Sequence, residues 1–317
     1  MGEVIRLDAA QSKPTTFKIG RDTLKMLNYA TEQELGLAEQ SIGYSARVWA
    51  QVSLPYRDPG PTPYWERKNG DVALTMRPAL LSHADGTRYE AYAYGILPRH
   101  ALTWLSTEAV KTQQPVIELG SSMSSFMEKI GLSHGGRDAN RLTEQLRRLF
   151  GSQLSVQGLA VTEGGRGEFT QYFQIANKVQ LWFSDNDAIA ENNTGLWSSQ
   201  VTLSEEFFRS IVESPVPIDI NATKALGSSP MRYDIYTWST HRVFTLSRET
   251  RIKWEDLNKQ FGAQYKNLRA FKAAFIRNLE VICKIYPELN VRPEKDYLVL
   301  YPSRPHVRPI NRRKELI

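Results

Sequence analysis

Hydrophobic and polar positions follow one arrangement that occurs twice in this chain. In the first copy, residues 117–150, an extended stretch over 116–119 leads into an amphipathic segment, 124–130, closed by Gly131. A long run over 140–150 follows, with apolar residues returning every three or four positions, the spacing of one helix face. Residues 251–286 repeat the order: 250–253 extended, 254–261 amphipathic, Gly262, then a long helical pattern from Asn267. Phe126, Ile130 and Gly131 correspond to Leu257, Phe261 and Gly262, and Leu142, Leu146 and Phe150 to Phe271, Phe275 and Leu279. Short helix, glycine turn and long basic helix is the sequence pattern of a helix-turn-helix.

The remaining patterns place elements around these copies. Residues 1–20 carry no periodicity, and 21–40 read as a weak helix on Leu24, Leu27, Leu35 and Leu37. Residues 47–54 alternate like a strand, and the proline-rich 55–63 is a loop. Strands are expected at 72–76 and 89–94, with hairpin chemistry at 83–87. A strong helix spans 97–112. After the first copy come strands at 153–156, 169–175 and 179–183, with glycine-rich 163–167 as a hairpin tip and 185–195 as a polar loop. A helix-turn-helix followed by such a hairpin is a winged helix. Residues 204–212 form a helix capped by Ser204, ended by the prolines of 214–217. Residues 219–229 cross to a second module that opens on a helix at 231–246 and ends on a strand at 297–301. The fold class is therefore α+β: two tandem winged-helix domains, each with a helix-turn-helix and a β-hairpin wing. The expected boundaries are an N-terminal extension over 1–44, partly helical or disordered, a first winged-helix domain over 45–217, a second over 218–303, and a basic tail over 304–317.

Charge changes the picture by its distribution. The net charge is +6, but residues 1–97 balance, 98–217 carry −3 and 218–317 carry +9. A basic domain on a near-neutral body suits a polyanionic partner. No run of 18 apolar residues is present, and the N-terminus lacks a signal-peptide core, so no membrane association and a cytoplasmic place are expected. The single cysteine, Cys283, lies beside Leu279, Ile282 and Tyr286 and reads as a buried apolar thiol rather than a nucleophile. The five histidines make no HxH or HExxH pattern, Gly164–Gly167 lacks the Lys-Ser/Thr of a phosphate-binding loop, and no GxSxG occurs. Neither enzymatic activity, nor a metal, nor a cofactor is expected.

The candidate contacts to double-stranded DNA come from the two long helices. In the first, Arg141, Gln145 and Arg148 form a stripe beside the apolar one, with donors suited to phosphates and base edges, and Arg137 sits in the preceding turn. The same stripe also reads as a solvated face in which Glu144 pairs Arg148. In the second, Lys266, Asn267, Arg269, Lys272 and Arg277 occur with no acid before Glu280, and Ala270, Ala273 and Ala274 permit close approach. Arg304 and the arginines after it suit phosphate or minor-groove contact, or form a basic terminus without a specific role.

Several segments carry a resemblance: Trp65-Glu-Arg-Lys-Asn-Gly70, Tyr94-Gly-Ile-Leu-Pro-Arg99, Trp104-Leu-Ser-Thr-Glu-Ala-Val110, Glu118-Leu-Gly120, Phe126-Met-Glu-Lys-Ile-Gly-Leu132, Gly135-Gly-Arg137, Arg147-Arg-Leu-Phe150, Ser228 to Trp238, Trp254-Glu-Asp-Leu257, Gln260-Phe-Gly262 and Pro302-Ser-Arg-Pro305. Over residues 45–308 the chain resembles the RepA family of bacterial plasmid replication initiators, of the iteron-binding type. The resemblance implies tandem winged helices that bind direct repeats at a plasmid origin, open the adjacent DNA, recruit the host initiator DnaA and the replicative helicase, and repress their own gene. It also implies a monomer–dimer equilibrium, with dimer contacts at 45–95. Two other readings of the same residues are a two-domain transcriptional repressor without a replication role, and a DNA-nicking enzyme.

Overall fold

Segment 21–34 forms the first helix, α1 (Arg21–Glu34), but not on its leucines: Leu24 and Leu27 are exposed, while Met26 and Tyr29 are buried. A computed structural model describes residues 21–35, 40–83, 85–132, 135–162, 165–181, 199–262 and 265–307, so residues 1–20, the whole 185–195 loop and the tail from 308 lie outside it. Strand β1 (Ile42–Ala46) comes next, and then α2 (Arg47–Gln51) where alternation predicted a strand. That stretch is too short to fix a period. Its outcome is decided by packing, because Trp49 enters one hydrophobic core and Ala50 the other.

Strands β2 (Trp65–Asn69), β3 (Val72–Arg77), β4 (Ala79–Ser82) and β5 (Arg88–Ala91) follow, with β4 and β5 pairing across the predicted turn. In that turn Asp85 Oδ1 accepts from the Thr87 amide and Gly86 has φ 82°.

The two copies fold as the same series of elements. The first runs α3 (Ile96–Thr112), β6 (Val116–Gly120), α4 (Met123–Lys129) and α5 (Gly136–Gly151). It is then interrupted by a hairpin, β7 (Gln153–Thr162) and β8 (Gly165–Phe173), before β9 (Ala176–Gln180) and β10 (Ser199–Leu203) complete a sheet of order β6-β10-β9. Helix α6 (Glu205–Glu213) follows, with Ser204 Oγ accepting from the Phe207 amide as the expected cap. Strand β11 (Pro215–Asp219) and α7 (Ile220–Ala225) lead into the second copy. This is α8 (Pro230–Phe244), β12 (Thr250–Lys253), α9 (Trp254–Phe261), α10 (Leu268–Ile285), β13 (Val291–Pro293) and β14 (Tyr297–Leu300), with sheet order β12-β14-β13. Both units thus run helix, strand, helix, helix, strand, strand, with the last strand central in each sheet.

Three expectations need correction. Hairpin β7–β8 is not the wing of the first unit, because β7 pairs β3 and the hairpin extends a separate four-stranded sheet, β2-β3-β7-β8. The first unit's own sheet uses β10, a strand that the polar Ser-Gln-Val-Thr-Leu pattern concealed. The prolines of 215–217 end α6 but also form β11, which pairs antiparallel with β1. Among the described residues two strands make that sheet, so the prolines occupy an edge and remove no central ladder bond.

The cores follow the copies. One joins Leu105, Phe126, Leu142, Leu146 and Leu149 with Leu74, Val201 and Phe207. The other joins Trp238, Trp254, Phe261, Phe271 and Phe275 with Met26 and Tyr29 of α1, so the N-terminal helix packs on the C-terminal core. Trp238 and Trp254 meet Phe275 edge-on, with ring centroids 6.5 and 5.8 Å apart. This offset geometry suits the ring quadrupoles.

Candidate nucleic-acid interface

The apolar stripe of helix α10 leaves Arg269 and Arg277 on its outward face. Phe271, Ala274, Phe275, Leu279, Ile282 and Ile285 form the buried stripe at spacings of three and four. The opposite face carries Arg269, Ala270, Ala273 and Arg277, all exposed, and Lys266 is exposed just before the helix. Asn267 is the N-cap: its Oδ1 accepts from the Ala270 amide at 2.9 Å, which satisfies one of the free first-turn donors. Gly262 sets the preceding turn, because a Cβ there would lie 2.7 Å from the Asn258 carbonyl oxygen. The helix N-terminus and its cations therefore project together away from the core.

Lys272 does not join them. Its ammonium donates to the carbonyls of Glu294 and Lys295, each at 2.7 Å, and lies 4.9 Å from the Trp254 ring centre. It fastens the β13–β14 turn to α10. Exposed Arg292 and Lys295 belong to that hairpin, and sequence reasoning missed both because three-residue β13 leaves no periodic trace.

In the first unit the outward face of α5 is rotated from the expected one. Arg137, Asn140, Arg141 and Arg147 are exposed. Arg141 lies 3.5 Å from Asp138 with its side chain 66% exposed. Gln145 is buried, with Oε1 accepting from the Tyr94 amide at 2.8 Å. Arg148 is drawn inward: it pairs with Glu144 at 2.9 Å and Asp58 at 3.3 Å, and lies 5.6 Å from the Tyr94 ring centre. Both residues hold the strand end and loop before α3 against α5. The predicted stripe of 141, 145 and 148 is thus divided, with only Arg141 outside. Gly131 has φ 75°, a left-handed conformation that other residues rarely adopt, so the α4 turn needs glycine there.

Arg304 is exposed on a segment that is irregular yet packed. Tyr286 donates its hydroxyl hydrogen to the Arg304 carbonyl, Gln40 Nε2 donates to the His306 carbonyl at 2.6 Å, and buried His306 shares a hydrogen bond with Tyr236 at 2.8 Å. Burial lowers the His306 pKa, so the ring is held neutral.

No cluster of three or more histidine, cysteine or acidic side chains able to hold a metal occurs among the described residues. Among them also, no helix is long and apolar enough to cross a membrane. Cys283 is half-buried, and burial together with Glu280 raises its thiol pKa, which opposes thiolate formation.

A repeated helix pair with a basic outward helix is the frame of a nucleic-acid-binding class. The model of the family described as "Plasmid encoded RepA protein" matches residues 92–256, more than half of the chain, and the chain belongs to this family of plasmid replication initiators. No curated protein matches it. Among solved structures, the chain is similar to the crystal structure of RctB domains 2–3, at 12% identity and a TM-score of 0.48, covering 80% of this chain and 96% of that one. A selenomethionine derivative of domains 2 and 3 of RctB gives 12% identity, a TM-score of 0.47 and coverage of 80% and 97%.

Proposed function

We propose that this replication initiator binds direct repeats at a plasmid origin through two tandem winged helices, with α10 and α5 as the reading helices. The outward cationic face of α10, Lys266, Asn267, Arg269 and Arg277 around small Ala270 and Ala273, carries this reading. Cations and a cap amide at a helix N-terminus suit phosphates, and alanines allow the backbone to approach a groove floor. The β13–β14 hairpin, clamped to α10 by Lys272, supplies Arg292 and Lys295 as the wing. Arg137 and Arg141 of α5 give a weaker second contact, consistent with the −3 charge of residues 98–217 against +9 for 218–317. Bound repeats then position the chain, in the cytoplasm, for origin opening, for contact with DnaA and the helicase, and for repression of its own gene, with a monomer–dimer equilibrium setting which task dominates.

The test is footprinting of purified protein on its own replicon, beside the triple variant Lys266→Ala, Arg269→Ala, Arg277→Ala. Protection of an array of direct repeats is expected. The variant should bind at least about 100-fold more weakly and with a salt slope smaller by roughly two to three, because each phosphate left without its cation lowers the slope by about one. Unchanged affinity and slope would remove α10 from the interface.

A further inference from the structure

The first helices of the two units meet across a buried ion pair. Arg99, in the first turn of α3, presents Nε to Asp234 Oδ1 at 2.7 Å and Nη2 to Oδ2 at 2.8 Å, with side chains 4% and 8% exposed. The same guanidinium donates to the carbonyls of Leu54, Pro55 and Gly95. Beside it Thr103 and Tyr233, from the same two helices, share a hydrogen bond. Further links tie flanking segments to the units: Gln260 Nε2 of α9 donates to the carbonyl of Gln51 in α2 at 2.8 Å, and the side chain of Lys224 in α7 lies over Gly131 in the turn before α5.

An apolar contact between helices tolerates sliding. A desolvated, two-pronged guanidinium–carboxylate contact does not, because it holds together only in one geometry, and any rotation strands a buried charge. The contact lies at the start of α3 and α8, the helices that support α5 and α10, so its direction is passed to both.

We propose that Arg99 and Asp234 are spacing-determining residues, fixing α5 and α10 in one relation so that the chain binds two DNA segments at a single separation. This rests on the reading of α5 and α10 as DNA-facing. Neither residue touches DNA; each acts by positioning the helices that do.

The test uses the full chain. Spin labels on Ser124→Cys and Glu255→Cys, both exposed and outside the proposed DNA face, in a Cys283→Ser background, report the distance between units. Wild type should give one narrow distance distribution, and its affinity should fall about tenfold when ~5 base pairs, half a helical turn, are inserted between the two contacted segments. Asp234→Asn should broaden the distances and flatten this dependence to about threefold or less. The paired variant Arg99→Met/Asp234→Leu keeps an apolar, foldable contact without direction, and should show the same broadening if the single variant does not fold. A broad wild-type distribution, or a folded variant that remains narrow and spacing-dependent, overturns the proposal. Narrow wild-type distances with binding indifferent both to spacing and to the triple α10 variant would instead overturn the DNA-face reading, and the proposal with it.

Discussion

Arg269 and Lys272 stand about one turn apart on α10, and only Arg269 faces outward. The difference comes from neighbours far away in sequence: the Glu294 and Lys295 carbonyls collect the Lys272 ammonium. Gln145 is the parallel case in α5, taken by the Tyr94 amide. For both, a substitution should appear in stability rather than in recognition. Lys272→Met removes two charge-assisted hydrogen bonds at a half-buried site and should cost about 1–2 kcal/mol. Gln145→Ala leaves a backbone amide without its partner and should cost about 1–3 kcal/mol. Denaturant melts measure the loss, and competition binding should show repeat preference unchanged. A Gln145→Ala protein of undiminished stability but relaxed sequence preference would put Gln145 back among the base-reading residues. Composition and spacing identify a residue able to contact DNA, but they carry no information about which distant carbonyl or amide claims it first.

At the scale of elements, α10 was the most legible part of the chain. Its apolar spacing and its cations at Lys266, Arg269 and Arg277 specify the same helix in the same orientation. Two substitutions separate the contributions. Asn267→Ala should cost about 1 kcal/mol, the usual worth of a side-chain cap. Phe275→Ala, which removes a ring packed against Trp238, Trp254, Phe261 and Phe271, should cost about 3–5 kcal/mol. Circular dichroism melts of the two variants provide the check, and equal losses would mean that the cap, not the aromatic cluster, holds this helix. The β elements were less legible. The β7–β8 hairpin shows its turn and strands in sequence, yet alternation says nothing about which strand will pair along β7. It pairs β3, about 80 positions earlier, and the three-stranded sheet of the first unit closes without it. In α2 a short alternation lost to the demand that Trp49 and Ala50 fill two different cores.

At the scale of the whole molecule, several buried polar groups join segments remote in sequence. Tyr29 of α1 donates to Asp219, whose amide donates to Tyr236, which meets His306 near the C-terminus. His100 of α3 packs edge-on against Tyr233 of α8, and burial, helped by Lys224, lowers its pKa to about 4. In the unfolded chain this imidazole titrates near 6.5, so folding leaves it neutral where the free chain would bind a proton. Stability from His100 is therefore complete above pH ~6.5 and is lost as the pH falls towards about 4, with His306 acting in the same direction. We expect His100 to account for a loss on the order of 2 kcal/mol across that window. Chemical denaturation at stepped pH should show the decline, and a profile flat from 7 to 4.5 would contradict it.

The sequence by itself determined the repeat, the two core stripes, the cap at Ser204, and the basic bias of residues 218–317. These depend on periodicity and on residues within one or two turns of each other, and such information is local. Only the tertiary structure decided that α1 belongs to the C-terminal core, that Gln145, Arg148 and Lys272 face inward, and that Arg99 reaches Asp234. Each of these is a polar or apolar group satisfied by a partner tens to hundreds of positions away. Burial makes an unmatched group costly, so the folded chain fixes such pairings firmly. Residue order supplies the groups, but only folding sets the distances that pair them.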